Sequence, residues 1–128
     1  MMIQKSPIYL EEEEIQAIYF LERGKAAYVL PRYKNKPFVL IDQSETFGII
    51  DIVFRNMQVE EQGHKTIETN TFKRKFTVYT QENSMLLQLE IKDLRRMQFE
   101  YPEVYDELFL EQAELLQEVL SRKMVVIK

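Results

Sequence analysis

Two short segments hold the residue types best suited to chemistry. The first is Glu45-Thr46-Phe47-Gly48-Ile49-Ile50-Asp51, a phenylalanine–glycine turn that runs into an apolar stretch. The second is Arg74-Lys75-Phe76-Thr77-Val78, a basic start to a β-branched strand. A guanidinium presents a rigid fork of donors. Arg74 is open to three readings: an edge-strand arginine paired with a nearby acid, an anion-binding residue, or a contact to a partner. Phe47 and Gly48 also fit a plain turn with a core aromatic. Lys73, Arg74 and Lys75 form a basic patch beside Phe72 and Phe76. The patch is short and the net charge is −4, which argues against nucleic-acid and other broad polyanion binding.

Other chemistries lack their parts. The chain has one histidine, His64, in a polar stretch, and no cysteine. That excludes a disulfide frame, a thiolate metal site and a cysteine nucleophile. A metal-dependent barrel enzyme would need several convergent ligands, and only carboxylates could supply them here, for calcium or magnesium. The expectation is a non-enzyme with no metal site. Glu11, Glu12, Glu13 and Glu14 form an acidic run that fits a solvated turn or a docking spot.

The chain must fold to bring such residues together, and its 128 residues suit one domain, residues 1–128. Apolar residues make up 45%, enough for a core. No apolar run approaches the roughly 20 residues of a membrane span. Met1-Met2-Ile3-Gln4-Lys5 lacks the apolar centre of a signal peptide. These features predict a cytoplasmic module without direct membrane insertion. A fragment of a larger protein, including the cytosolic part of a membrane protein, fits equally.

The first two thirds read as β. Residues 15–22 and 26–30 are strands punctuated by Gly24, and residues 38–41 return after a turn at Tyr33–Pro37. Residues 49–54 suit a short helix or a buried strand, because periodicity alone does not choose. Residues 55–73 read as a long loop or a hairpin excursion. Residues 76–79 and 85–89 are strands. From residue 92 the pattern is helical, with a break at Pro102. Two helices, residues 92–101 and 102–123, are expected, the second with an apolar face of Phe109, Ala113, Leu116 and Leu120. The expected core comprises Tyr19, Leu21, Val29, Val39, Phe47, Val78, Leu87 and Leu89, joined by Phe109, Leu116 and Leu120. Strands followed by helices argue for an α+β fold, a small β-barrel with terminal helices.

This order resembles that of cyclic nucleotide-binding domains, of the ion-channel type. That family is an antiparallel β-roll (a double-stranded β-helix or jelly-roll barrel) with a phosphate-binding cassette and two C-terminal helices. Residues 1–91 would form the roll, with the cassette near 47–77, and residues 92–128 the helices. Ile18-Tyr19-Phe20-Leu21-Glu22-Arg23-Gly24 looks like the family's apolar strand ending in a glycine turn. Ser84-Met85-Leu86-Leu87-Gln88-Leu89 followed by Asp93-Leu94 looks like its last strand entering a helix. Glu100-Tyr101-Pro102-Glu103-Val104 is similar to its helix break. Ala27-Tyr28-Val29-Leu30-Pro31-Arg32-Tyr33 looks like modules attached to potassium-channel-type proteins of protists.

The resemblance implies a site. Phe47 and Gly48 would form the cassette turn. Ile49, Ile50 and Asp51 would present N–H groups at a helix N-terminus, where an anion is favoured. Arg74 would grip the phosphate of cAMP or cGMP, with Lys75, Phe76 and Thr77 beside it. Three departures make the cassette degenerate. Ile49 stands where the family has a glutamate that accepts from the ribose 2′-hydroxyl. A buried hydroxyl left unpaired costs about 1–3 kcal/mol. Phe76 replaces a small alanine, and on a strand it shares a face with Arg74. The link over residues 55–73 is long. Asp51 also adds negative charge near the phosphate position. The implied function is a regulatory module with weak or lost nucleotide binding, its partners the pore or linker of a parent channel. The alternative is a working cAMP or cGMP sensor whose final helix caps the ligand. Met124-Val125-Val126-Ile127 is a helix end, the start of a linker, or a β-branched segment that fills an empty pocket.

Overall fold

The turns set the strands. Ala17–Arg23 (β3) and Ala26–Leu30 (β4) meet at Gly24, whose φ is +105°. A Cβ there would lie 2.3 Å from the Ser84 hydroxyl oxygen and 2.6 Å from the Asn83 carbonyl, so only glycine fits. Pro31 stops β4 and opens a 3-10 turn, Pro31–Tyr33. Lys34 and Asn35 then take positive φ and send the chain back as β5, Lys36–Ile41. Pro37 is tolerated because β5 is an edge strand, and the pairing shifts register between Tyr28 and Val29 beside it.

The computed structural model describes residues 2–3, 6–61 and 73–127, with backbone alone for 2–3, 56–61 and 125–127. The other elements are β1 (Met2–Ile3), β2 (Pro7–Tyr9), β6 (Thr46–Phe47), α1 (Ile50–Glu61), β7 (Thr77–Thr80), β8 (Ser84–Glu90), α2 (Ile91–Glu100) and α3 (Pro102–Ile127). Two antiparallel four-stranded sheets, β1-β8-β3-β6 and β2-β7-β4-β5, form the roll. The α+β class and the β-roll are as expected from the sequence.

Helix α1 departs from the expected loop. Residues 49–54 enter a helix that runs to Glu61, so residues 55–61 are helical. Asp51 in its first turn meets the helix N-terminus favourably. His64, Gly63 and Phe72 lie outside the described residues. Helix α2 begins at Ile91, one residue early. Pro102 lacks an N–H, ends it and opens α3. Helix α3 continues to Ile127, so residues 124–127 extend the helix rather than forming a strand.

The core lies between the sheets and under the helices. Leu21, Tyr28, Val39, Phe47, Val78 and Leu86 from the roll meet Ile50 and Val53 of α1 and Leu116 and Val119 of α3. Tyr19, Leu89, Phe109 and Leu120 are partly buried against it. Leu87 is a correction: it is 53% exposed. Along the first half of β8, Ser84 and Leu86 are buried while Leu87 is exposed, as the period of two requires there.

Truncation should follow this phase. Leu21→Ala, Phe47→Ala and Leu116→Ala should each cost about 2–5 kcal/mol in urea unfolding. Leu87→Ala should cost less than about 1 kcal/mol. Equal losses at Leu86 and Leu87 would show the phase of β8 to be wrong.

The enclosed tyrosines predict alkaline behaviour. Burial pushes the Tyr9 phenol well above its ordinary value, aided by Tyr28 and Asp51. Burial and the Asp51 charge push Tyr28 up likewise. A raised folded-state value favours folding fully below the unfolded value, about pH 10, and that stability is lost as pH rises past it. Absorbance titration should therefore show Tyr9 and Tyr28, of seven tyrosines, still protonated near pH 11 while circular dichroism remains native. Ionisation of all seven with the fold intact would contradict it.

Candidate anion-binding cassette

Arg74 is aimed by its own backbone. Its N–H donates to the Glu13 carbonyl at 2.8 Å, and its carbonyl accepts from the Glu12 N–H at 2.9 Å. The neighbouring Lys73 bridges Glu14. The acidic run is thus a turn whose backbone pins residues 73 and 74, while Glu12, Glu13 and Glu14 expose their side chains. The Arg74 side chain points inward and is 2% exposed.

Its guanidinium is heavily engaged. Nη1 donates to the Gly48 carbonyl at 2.7 Å and to Asp51 Oδ2 at 3.0 Å. Nη2 donates to the Ala17 carbonyl. The planar group lies over the Tyr9 ring, with Cζ 3.8 Å from its centroid, a cation–π contact. Tyr9 stacks in turn on Tyr19 and Phe47. Buried Nε has no hydrogen-bond partner. Gly48, at φ +96°, permits this approach: a Cβ would stand 3.3 Å from Arg74 Nη1.

Asp51 is the counter-charge and is 1% exposed. Besides Arg74, its Oδ1 accepts from the Lys75 N–H at 2.6 Å and the Phe76 N–H at 3.1 Å. Burial raises its carboxyl above the ordinary value, opposed by the Arg74 charge and these N–H groups. All three groups facing its oxygens are donors, so the ionised form satisfies them and a protonated acid would not.

The remaining candidates divide. Phe47, Ile49 and Ile50 are wholly buried core residues. Ile49 therefore offers its carbonyl, which accepts from Ile52 and Val53 N–H groups, and no side chain to a ligand. Thr77 Oγ1 accepts from the Glu11 N–H at 3.0 Å. Phe76 is 1% exposed and meets Tyr28 edge-on at 6.2 Å; β7 begins only at Thr77, so the strand geometry expected to put Phe76 and Arg74 on one face does not hold here. Lys75 is exposed, with its ammonium 5.4 Å from the Phe54 ring centroid. Lys123 of α3 reaches over Phe76 at 5.4 Å and pairs with Glu11 at 3.6 Å. Tyr9, Glu13, Glu14, Tyr19 and Arg74 are among the residues that line one cleft, so two carboxylates share it with the guanidinium.

Tyr9, Ala17, Tyr28 and Lys123 belong to this cluster without having been singled out by sequence. Tyr28 had no phase signal, since all five residues of β4 are apolar and buried. Tyr9 had none: a three-residue strand leaves no pattern to read.

No family model matches the sequence, and no curated protein matches it. Solved structures do match. A transcriptional regulator from Thermotoga maritima is 14% identical at a TM-score of 0.66, with 100% of this chain and 89% of that chain covered. cAMP-bound PfPKA-R is 17% identical at a TM-score of 0.64, with 94% and 35% covered. The catabolite activator protein of Thermus thermophilus is 19% identical at 0.58, with 99% and 53% covered. The chain thus spans about a third of the PfPKA-R chain and about half of the Thermus protein. Identities at this level speak to fold, and these neighbours share a roll with C-terminal helices. The chain has the fold of cyclic nucleotide-binding domains.

Proposed function

We propose that the chain is a non-enzymatic regulatory module of the cyclic nucleotide-binding type in which nucleotide binding is weak or lost. The observation that carries this reading is the Arg74 guanidinium. The cation that would hold a cyclic phosphate already holds Asp51, Gly48 and Ala17. Phe76 fills interior space beside it, and the carboxylates of Glu13 and Glu14 share a cleft with it. Site residues Phe47, Gly48, Ile49, Ile50, Asp51, Arg74, Lys75, Phe76 and Thr77 then keep the cassette's shape without its ligand.

In this reading the module works inside a larger cytoplasmic assembly. The sequence likeness favours an ion channel, with the pore or linker as partner. No helix among the described residues is long and apolar enough to cross a membrane. Helix α3 packs on α1, α2 and β5, so its position reports on the cassette. The second reading, a cAMP or cGMP sensor, draws on the convergence of Gly48, Arg74 and the start of α1 on one point. There a nucleotide would shift the α3 population through unequal affinity for its positions.

Calorimetric titration with cAMP and cGMP separates the two. Dissociation constants no tighter than about 10–100 μM are expected. Submicromolar binding, abolished by Arg74→Ala, would establish the sensor. Ile49→Glu should not restore binding. The side chain at position 49 is fully buried, so the new carboxyl should cost about 3 kcal/mol or more in urea unfolding. A stable Ile49→Glu that binds cAMP would show that this side chain reaches the ligand.

A further inference from the structure

We propose that Asp51 is an intramolecular ligand: its carboxylate occupies an anion site built by Arg74 and the Lys75 and Phe76 N–H groups, and that site takes a free phosphate-class oxyanion once the carboxylate's charge is removed. The inference rests on the reading above, that the cassette is present but self-occupied. Three donors converge on one carboxylate, at 3.0, 2.6 and 3.1 Å. They come from consecutive residues, so the chain from Arg74 to Phe76 folds around the anion. Such a cradle of backbone N–H groups with a guanidinium suits an oxyanion. The buried Arg74 Nε, without a partner, leaves one more donor than the two-oxygen carboxylate uses.

The tether explains why a free anion does not compete. Asp51 sits in the first turn of α1, immediately after the Gly48 turn, so its carboxylate is presented at high effective concentration. A soluble anion must displace it beside Glu13 and Glu14, which share the cleft. These outer carboxylates are the same in wild type and variants, so they cancel in a comparison. Phe76 occupies the adjoining space, and the opened site should accept inorganic phosphate before a nucleotide.

The test uses the full chain labelled with nitrogen-15 and inorganic phosphate as the ligand. Asp51→Ala removes the carboxylate. Asp51→Asn keeps an acceptor for the two N–H groups, removes only charge, and serves if the alanine variant does not fold. Asp51→Ala/Arg74→Met removes both charges as the control. Phosphate should move the Lys75 and Phe76 amide resonances saturably in the folded Asp51 variants. Their apparent affinity should exceed that of wild type by about tenfold or more, with no response in the control. The thermal midpoint of either single variant should rise with phosphate and not with chloride, as binding to the native state requires. No saturable shift and no phosphate-specific rise in Asp51→Asn would overturn the proposal. A rise produced equally by formate, with phosphate inert, would also overturn it, because the site would then fit a carboxylate alone. These outcomes are independent of the nucleotide titration of wild type. Tight cAMP binding by the unaltered chain sinks the functional reading, whereas silent variants sink this one.

Discussion

A guanidinium buried inside a β-roll must be neutralised in place. Removing an ion from water carries a penalty of several kcal/mol, and a pair offsets it only with good geometry and satisfied donors. Arg74 meets that condition by drawing on distant parts of the chain. Tyr9 comes from β2, the Ala17 carbonyl from the start of β3, and Gly48 and Asp51 from the junction of β6 and α1. None of these contacts is local in sequence. The cation therefore fixes how β2, β3, α1 and the start of β7 sit together, and the absence of a Cβ at Gly48 follows from the same demand.

The arrangement also links the interior to the helices. Phe76 follows Arg74 by two residues, and its N–H donates to the same Asp51 carboxylate. Lys123 lies over its ring and reaches Glu11. The Glu11 N–H in turn donates to Thr77. The mouth of the roll, the cassette and α3 thus share one set of contacts. A change in charge at the cassette has a physical route to α3 through packed residues, and a change at α3 has the reverse route.

Much of this was legible in the sequence, and the rest has physical reasons for its silence. Gly24, Pro31 and Pro102 announce their turns and breaks because few other residues suit those conformations. The strand spacing of Arg74 and Phe76 did not carry over, because β7 begins only at Thr77. The phosphate-cassette likeness of residues 47–51 and 74–77 led to the right fold. The side-chain direction of Asp51 was not legible, since it depends on whether residues 49–54 form helix or strand, and short apolar runs suit both. Helix α1 beyond Phe54 was missed because residues 55–61 are mostly polar, and such a stretch reads as loop. Strands β1 and β2 are too short to carry a period. Leu87 was misplaced because residues 85–87 read Met-Leu-Leu, and a run without polar alternation does not reveal its own phase.

The joint at Pro102 gives the C-terminal helix a mechanical property. Proline contributes no N–H, so the joint lacks the backbone hydrogen bond that a continuous helix would make there. Beyond it α3 is a rod of 26 residues, about 39 Å long at the helical rise. A rotation of about 10° at the joint carries its far end through roughly 7 Å, given that length. Because Leu116 and Val119 of the same rod are buried in the core, such a swing and the repacking of the roll would be one event.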